Sequence, residues 1–543
     1  MAKTGVLPFD VVVRVLYYAT DSFYQTPAEW KTHLAYLAVN RDWRAASWRY
    51  LYQCAFITFT EAPRPRSPLR VLNRCKMDKG FWNRNPKVMP IALTNIGLIE
   101  QLGHQSVVKV LAFNDKIQHL DGSFIYDMAD ALSIVTKCGM YAFSDFWIDP
   151  RGTPIDPAAM EHAGLYGEGQ ELAAIIAGIL PNVECLYIRS HVAYPYVTIF
   201  YEQLAKSYME QLRVYYNYTK GFGPNLGAAT RLSRFEMYYT PWRLSRQDVT
   251  IYPCSLRDLT LYLDCDFFVW SLFQCDTESD IAFNELRNLT LIGNEKFNLE
   301  VDVDTSISYE GVHDPFAVTL PMLQKLVIED TPVNSIDAER LVQPTLENLT
   351  YAGSIFSALR LCRQPISMLK QLHLSFGVRL MVHLDTAFLE QTNEIVSAAQ
   401  GIPAVHLYLR SESAFPRYTR IDWPHLTSLE LSVRIDLAEL LATIHTMPRL
   451  VTLLINLDCF EKQAMADAVV KLDNLKRSHP GPSLSRLRFI ELRCPIIKPT
   501  QEFSRVTDGL AWYFPELERF VIKQVNHDPQ ASLVAKRIID IVS

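Results

Sequence analysis

Along the C-terminal two-thirds of this 543-residue chain, apolar residues return in one six-residue phrase: an apolar position, two variable ones, a second apolar position, one variable, and a third apolar. The clearest copies are Leu256-Leu259-Leu261, Leu286-Leu289-Leu291, Leu323-Leu326-Ile328, Leu369-Leu372-Leu374, Leu426-Leu429-Leu431 and Leu450-Leu453-Ile455. Looser copies are Val183-Leu186-Ile188, Met209-Leu212-Val214, Leu232-Phe235-Met237, Leu346-Leu349-Tyr351, Leu487-Ile490-Leu492 and Leu517-Phe520-Ile522. Several first positions lie 23 or 24 residues apart, and the remaining intervals stretch to between 26 and 37, apart from the 57 residues between Leu369 and Leu426. A fixed core with variable spacing is the mark of a repeat array whose loops differ from unit to unit.

A strand with its apolar side chains on one face cannot bury them alone, so each unit needs a neighbour stacked on it. Proline stands two residues before the first anchor at Pro181, Pro321, Pro424, Pro448 and Pro515, where it keeps a preceding helix from running into the strand. Between strands, segments such as 437–446 and 461–475 carry apolar residues at three- and four-residue steps, the period of a helix. Strand and helix in alternation predict an α/β solenoid with a parallel sheet on its concave side.

Over residues 180–525 this pattern resembles the leucine-rich-repeat family. The resemblance implies an irregular horseshoe, because the asparagine expected three residues beyond the third anchor occurs at Asn294, while other copies offer Asp264, Thr331, Gly377 or Pro495. Repeats between 107 and 180 are hard to place. Val108-Leu111-Phe113 reads as a first strand and the aromatic stretch 141–147 as another, and near Pro403 the residues Val405, Leu407 and Leu409 alternate out of frame.

The N-terminus has another grammar. Leu7 and Pro8 open a helix in which Val12, Val15, Leu16 and Ala19 share a face, with proline in the first turn. A second helical stretch carries Leu34, Leu37, Val39, Trp43 and Arg44, and a third, rich in aromatics, follows through Trp48 and Leu51. Three small helices with this much apolar surface make a poor core by themselves and call for a partner. Leu7, Pro8, Val12, Leu16, Leu34, Leu37, Val39, Trp43, Arg44, Trp48 and Leu51 follow in order the pattern of the F-box, which this segment resembles. In that family the three-helix module docks onto the adaptor subunit of a cullin-containing ubiquitin ligase, and C-terminal repeats choose the substrate. Two departures are the long 17–33 segment and Asn40 in place of a frequent cysteine. The alternative role for residues 7–55 is a cap on the open end of the repeats.

The expected division is therefore an F-box-like module at 1–57, a linker or cap at 58–105, and a leucine-rich-repeat solenoid at 106–543, clearest over 180–525. Proline and charge between Thr58 and Pro90 predict an extended connection. Its basic run from Arg64 to Lys87 reads as a solvated linker, or else as a phosphate-binding segment.

Composition narrows the function classes. An apolar content of 49% supplies ample core, and a net charge of −6 gives no electrostatic case for nucleic acid. Ten scattered cysteines without a Cys-x-x-Cys pair predict free thiols and an intracellular home, cytoplasmic or nuclear. The triplets at Asn217, Asn288 and Asn348 then carry no glycan. The apolar stretch 11–19 is broken by Arg14, so neither a secretory core nor a membrane span is expected. Phosphate loops, His-Glu-x-x-His, Gly-x-Ser-x-Gly and calcium-loop motifs are absent from the sequence. The expectation is a binding protein with no cofactor, no metal and no catalytic residue.

Side chains alternate along a strand, so residues between the anchors point to the opposite face. That face is expected to display Tyr187 and Arg189, then Arg213 and Tyr215, Arg234, Glu236 and Tyr238, and Tyr262. Tyrosine and arginine join large contact area to hydrogen-bonding ends, which suits a protein-recognition surface. A second reading is that tyrosines simply favour strands and cover one another along the ladder.

Overall fold

The computed structural model describes residues 53–63, 88–94, 96–115, 173–189, 195–218, 225–239, 251–263, 272–273, 280–293, 317–329, 341–362, 364, 366–377, 385–414, 423–434, 444, 447–456, 470, 473–474, 477, 485–494, 510, 512–524 and 538–540. The chain forms two compact units, one built from residues 1–264 and 270–283, the other from 265–269 and 284–543. The expected F-box-like residues, from Leu7 through Leu51, lie outside the described residues, as do Asn294, the basic run 64–87 and the aromatic stretch 141–147.

In the first unit the elements are β1 (Cys54–Pro63), β2 (Val88–Thr94), α1 (Ile96–Gln101), β3 (Val110–Asp115), β4 (Cys185–Arg189), α2 (Pro195–Ser207), β5 (Val214–Asn217), β6 (Arg234–Tyr239), β7 (Asp258–Leu263) and β8 (Asp280–Ala282). Strand β2 lies antiparallel on β1, and from β1 the order runs β3, β4, β5, β6, β7, every neighbour parallel. The second unit holds β9 (Asn288–Gly293), β10 (Ala317–Thr319), β11 (Lys325–Glu329), β12 (Asn348–Ala352), α3 (Ile355–Cys362), β13 (Gln371–Phe376), α4 (Thr386–Ala398), β14 (Ala404–Ala414), β15 (Ser428–Arg434), β16 (Thr452–Asn456), β17 (Phe489–Cys494), β18 (Arg519–Gln524) and β19 (Ile538–Asp540). From β9 through β11 to β18 the strands pair in parallel, and β19 closes on β18 antiparallel.

The anchor phrase sets this register. Leu259, Leu261, Leu289, Leu291, Leu326, Ile328, Leu372, Leu429 and Leu453 are all buried to 1% exposure or less, and in each parallel pair anchor faces anchor, as in Leu326 opposite Leu349 and Leu372 opposite Val405. Each unit opens with a tight turn in which the first anchor's N–H donates to the carbonyl three residues back: Leu323 to Leu320, Leu426 to Trp423, Leu450 to Met447, Leu517 to Phe514. Pro321, Pro424, Pro448 and Pro515 thus occupy the second position of a turn, where a locked φ suits the geometry. Pro344, before Leu346, does the same.

The next two N–H groups then share one carbonyl of the preceding strand. Arg213 and Val214 both donate to Glu184, Ser233 and Arg234 to Arg213, Lys370 and Gln371 to Glu347, Arg488 and Phe489 to Val451. With few ladder asparagines, other polar groups tie turn to turn: Gln211 Nε2 donates to Pro181 O at 2.7 Å, Ser255 Oγ to Leu232 O at 2.8 Å, Thr345 Oγ1 to Leu323 O at 2.9 Å. Each of these residues immediately precedes a first anchor. Satisfied backbone groups are what allow such turns to be stacked closely.

Helix α4 shows how a connection packs. Asp385 caps it by accepting from the Phe388 N–H at 2.7 Å, and Phe388, Leu389, Thr392, Ile395 and Val396 form its buried face. Gly401, at φ 93°, lets the chain leave the helix and enter β14.

Three expectations need revision. Strand β1 runs across the expected boundary between residues 57 and 58, and the stretch expected as a linker or cap, 58–105, contains the end of β1, all of β2 and α1, so it is not an extended connection throughout. Alternating aromatic and β-branched residues in Cys-Ala-Phe-Ile-Thr-Phe-Thr suit a strand, which pairs with β3. Secondly, near Pro403 the residues Ile402, Val405 and Leu407 continue the frame of β13, facing Leu372 and Leu374 through the last two, whereas towards β15 the pairing moves by two residues and Leu407 and Leu409 face Leu429 and Leu431. Thirdly, the copy Met209-Leu212-Val214 is out of frame. Tyr215 lies opposite Leu186 and Phe235, so the anchors there are Leu212, Tyr215 and Asn217.

Candidate partner-binding face

The frame on β5 determines which side chains share the face opposite the anchors. Tyr215, expected on that face, is fully buried in the core and its ring stacks on Phe235 at 5.8 Å. Arg213 sits one step before the strand and joins Lys109 around Glu184, at 3.3 Å and 2.6 Å respectively. The face is filled by Tyr216 on β5 and Tyr218 just past its end, which the reading of the sequence missed. Their signal was present, since three tyrosines occur in four residues, but alternation by itself fits either frame.

Two rows cross the strands. In the first, Tyr187 on β4, Tyr216 on β5, Glu236 on β6 and Thr260 on β7 stand side by side. In the second, Arg189 ends β4, Tyr218 follows β5, Tyr238 is on β6 and Tyr262 on β7. The expected residues Tyr187, Arg189, Arg234, Glu236, Tyr238 and Tyr262 therefore belong to one face, where Arg213 and Tyr215 do not.

The tyrosines touch. Tyr187 meets Tyr216 edge-on at 5.8 Å and Tyr218 at 5.6 Å; Tyr218 meets Tyr238 at 5.9 Å and Tyr262 at 6.0 Å; Tyr238 stacks on Tyr262 at 4.5 Å. Such pairs add to area burial through their quadrupoles and hold the rings in a fixed arrangement. Glu236 lies among them. Its Oε1 accepts a hydrogen bond from Tyr218 at 2.7 Å and another from Tyr262 at 2.9 Å.

Beside this group, Arg234 Nε lies 2.9 Å from Asp258 Oδ2. Burial works against the arginine's charge, but Asp258 and the Tyr216 hydroxyl outweigh it and the pKa of Arg234 is raised. The tyrosine hydroxyls are held in the protonated, donating form. Burial pushes Tyr187 and Tyr216 up, and for Tyr218 burial, the hydrogen bond to Glu236 and the carboxylate's charge all act in that direction.

At the N-terminal end of the same unit the face is apolar. Cys54, Phe56, Val110, Ala112, Cys185 and Val214 form a buried cluster, with Tyr187 and Tyr216 packed against it. Cys54 and Cys185 are free and stand on strands separated by β3, roughly 10 Å apart and beyond disulfide reach. Burial raises the Cys185 thiol far out of the reactive range. Among the described residues no three His, Cys, Asp or Glu side chains come together as a metal site, and no helix is long and apolar enough to cross a membrane.

In the second unit the corresponding first row reads Thr290, Val327, Thr350, His373, His406, Ser428, Thr452 and Phe489. His373 and His406 stack at 5.7 Å, and burial lowers the pKa of both, with His373 adding repulsion at His406.

No protein-family model matches the chain, and no curated protein matches it.

Proposed function

We propose that this chain is a substrate receptor of a cullin-containing ubiquitin ligase, working inside the cell, with its F-box-like N-terminus docking the adaptor and its repeat face holding a protein substrate. The observation that carries the reading is the half-buried tyrosine group on β4 to β7, fixed around Glu236 on a backbone ladder of parallel strands. Rigid aromatic side chains with hydrogen-bonding ends are the anchors of protein interfaces, because they bring contact area at small entropic cost. On this proposal ubiquitin chemistry belongs to other subunits.

Affinity capture of the full chain tests it. Adaptor and cullin should co-purify, and replacing Leu7, Pro8 and Trp43 with alanine should abolish both while leaving the repeat-bound partner in place. Capture of a protein partner without adaptor or cullin would turn the chain into a repeat scaffold with no ubiquitin role.

A further inference from the structure

Glu236 is the charged residue of the tyrosine group that has no charged partner: among the described residues both of its hydrogen bonds fall on Oε1, both come from neutral hydroxyls, and it forms no ion pair. Next to it, the depression between β5, β6 and β7 is lined by Tyr216, Arg234, Phe235, Glu236, Asp258 and Thr260 and has a volume of about 230 Å³. Asp258 is already neutralised by Arg234. The lining therefore carries one uncompensated negative charge, placed at Glu236.

An anion would meet that carboxylate, and the only guanidinium in the lining is already committed to Asp258. A cation finds the reverse: among the described residues Oε2 accepts no hydrogen bond, Thr260 is the register neighbour of Glu236, and the Tyr216 ring offers an aromatic wall suited to an alkyl stem and to cation–π contact. The two tyrosine donors on Oε1 hold the carboxylate in place, so little order has to be created on binding.

We infer that this depression takes a lysine or arginine side chain from the bound protein, with its cationic head at Glu236 and its stem against Tyr216. The inference gives a chemical class to the face on which the receptor proposal rests, and it does not depend on adaptor docking. A basic residue in an extended segment is then the part of the substrate that β5 to β7 reads.

The test uses the full chain and two small probes, N-acetyl-arginine amide and its uncharged isostere N-acetyl-citrulline amide, followed by saturation-transfer NMR. Arginine amide should bind in a salt-dependent manner and citrulline amide at least roughly tenfold more weakly. Glu236→Gln, which keeps an oxygen to accept from Tyr218 and Tyr262, should abolish the preference for arginine while the thermal melt stays close to that of the parent. Tyr216→Leu should weaken arginine amide by about threefold. Equal binding of the two probes, no binding of either, or an unaltered preference in Glu236→Gln would overturn the inference. Adaptor capture reads the receptor proposal separately, so either can fail while the other stands.

Discussion

Each of the two units has a ladder of parallel strands with an anchor face, yet their opposite faces differ in kind. On β4 to β7 the rows are tyrosines clasping a carboxylate; from β9 to β17 the equivalent row is threonine, valine, serine and two histidines, ending at the single aromatic Phe489. Stacking energy in a solenoid is set by anchors and shared carbonyls, which leaves the intervening positions free to vary without cost to the fold. Where they converge on one chemistry, as around Glu236, function is the better explanation. Strand preference alone would not bring two hydroxyls onto one carboxylate oxygen.

The largest effect should come from exchanging the faces on β5. Tyr215→Ala removes a fully buried ring and should destabilise the chain by about 3–5 kcal/mol, whereas Tyr216→Ala, one residue on, should cost about 1 kcal/mol or less. Urea unfolding midpoints compare them, and equal losses would contradict the frame assigned here. Next in size, Tyr218→Phe deletes a hydrogen bond to a carboxylate in a half-buried site and should cost about 1 kcal/mol, falling to about half of that when Glu236 is already glutamine, whose neutral oxygen accepts a weaker bond. A double-mutant cycle in urea measures that coupling.

The histidine pair of the second unit should respond to acid. Both native pKa values lie below the ordinary 6.5, so the unfolded chain takes up protons first; stability from these groups is present above about pH 6.5 and is lost as pH falls. Melting temperature should drop between about pH 7.5 and about pH 5.5, and His373→Gln with His406→Gln should lessen the drop. An unchanged drop would place the acid sensitivity elsewhere. Smallest of all, Glu184→Gln breaks the exposed Lys109–Glu184–Arg213 group and should move stability by less than about 1 kcal/mol, less still in high salt, by the same melts.

Much of this was legible beforehand where leucine carries the phrase. Leu256-Leu259-Leu261 and its kin allow a single frame, because only one alternation places every aliphatic residue on one side. The phrase failed where both faces are apolar. On β5 the sequence Leu-Arg-Val-Tyr-Tyr-Asn-Tyr offers Val214 or Tyr215 as the inward residue, and both end up buried, one in the core and the other in the cluster with Cys54 and Phe56. That ambiguity displaced the candidate site by one residue, from Tyr215 to Tyr216 and Tyr218. At β14 a proline inside the phrase hid the Ile402 anchor, and at β1 the missing aliphatic triplet hid a strand altogether.

By itself the sequence determined that the chain stacks parallel strands through recurrent aliphatic anchors, since period-two alternation at a near-constant interval leaves those side chains no other way to escape water. Tertiary pairing decided the rest: which residue of an ambiguous strand turns inward, where the chain divides into two units, and that Tyr218 and Tyr262, 44 residues apart in the chain, end on the same carboxylate oxygen. Those outcomes depend on what the neighbouring strand presents at each level, a relation between residues distant in sequence that local pattern does not encode.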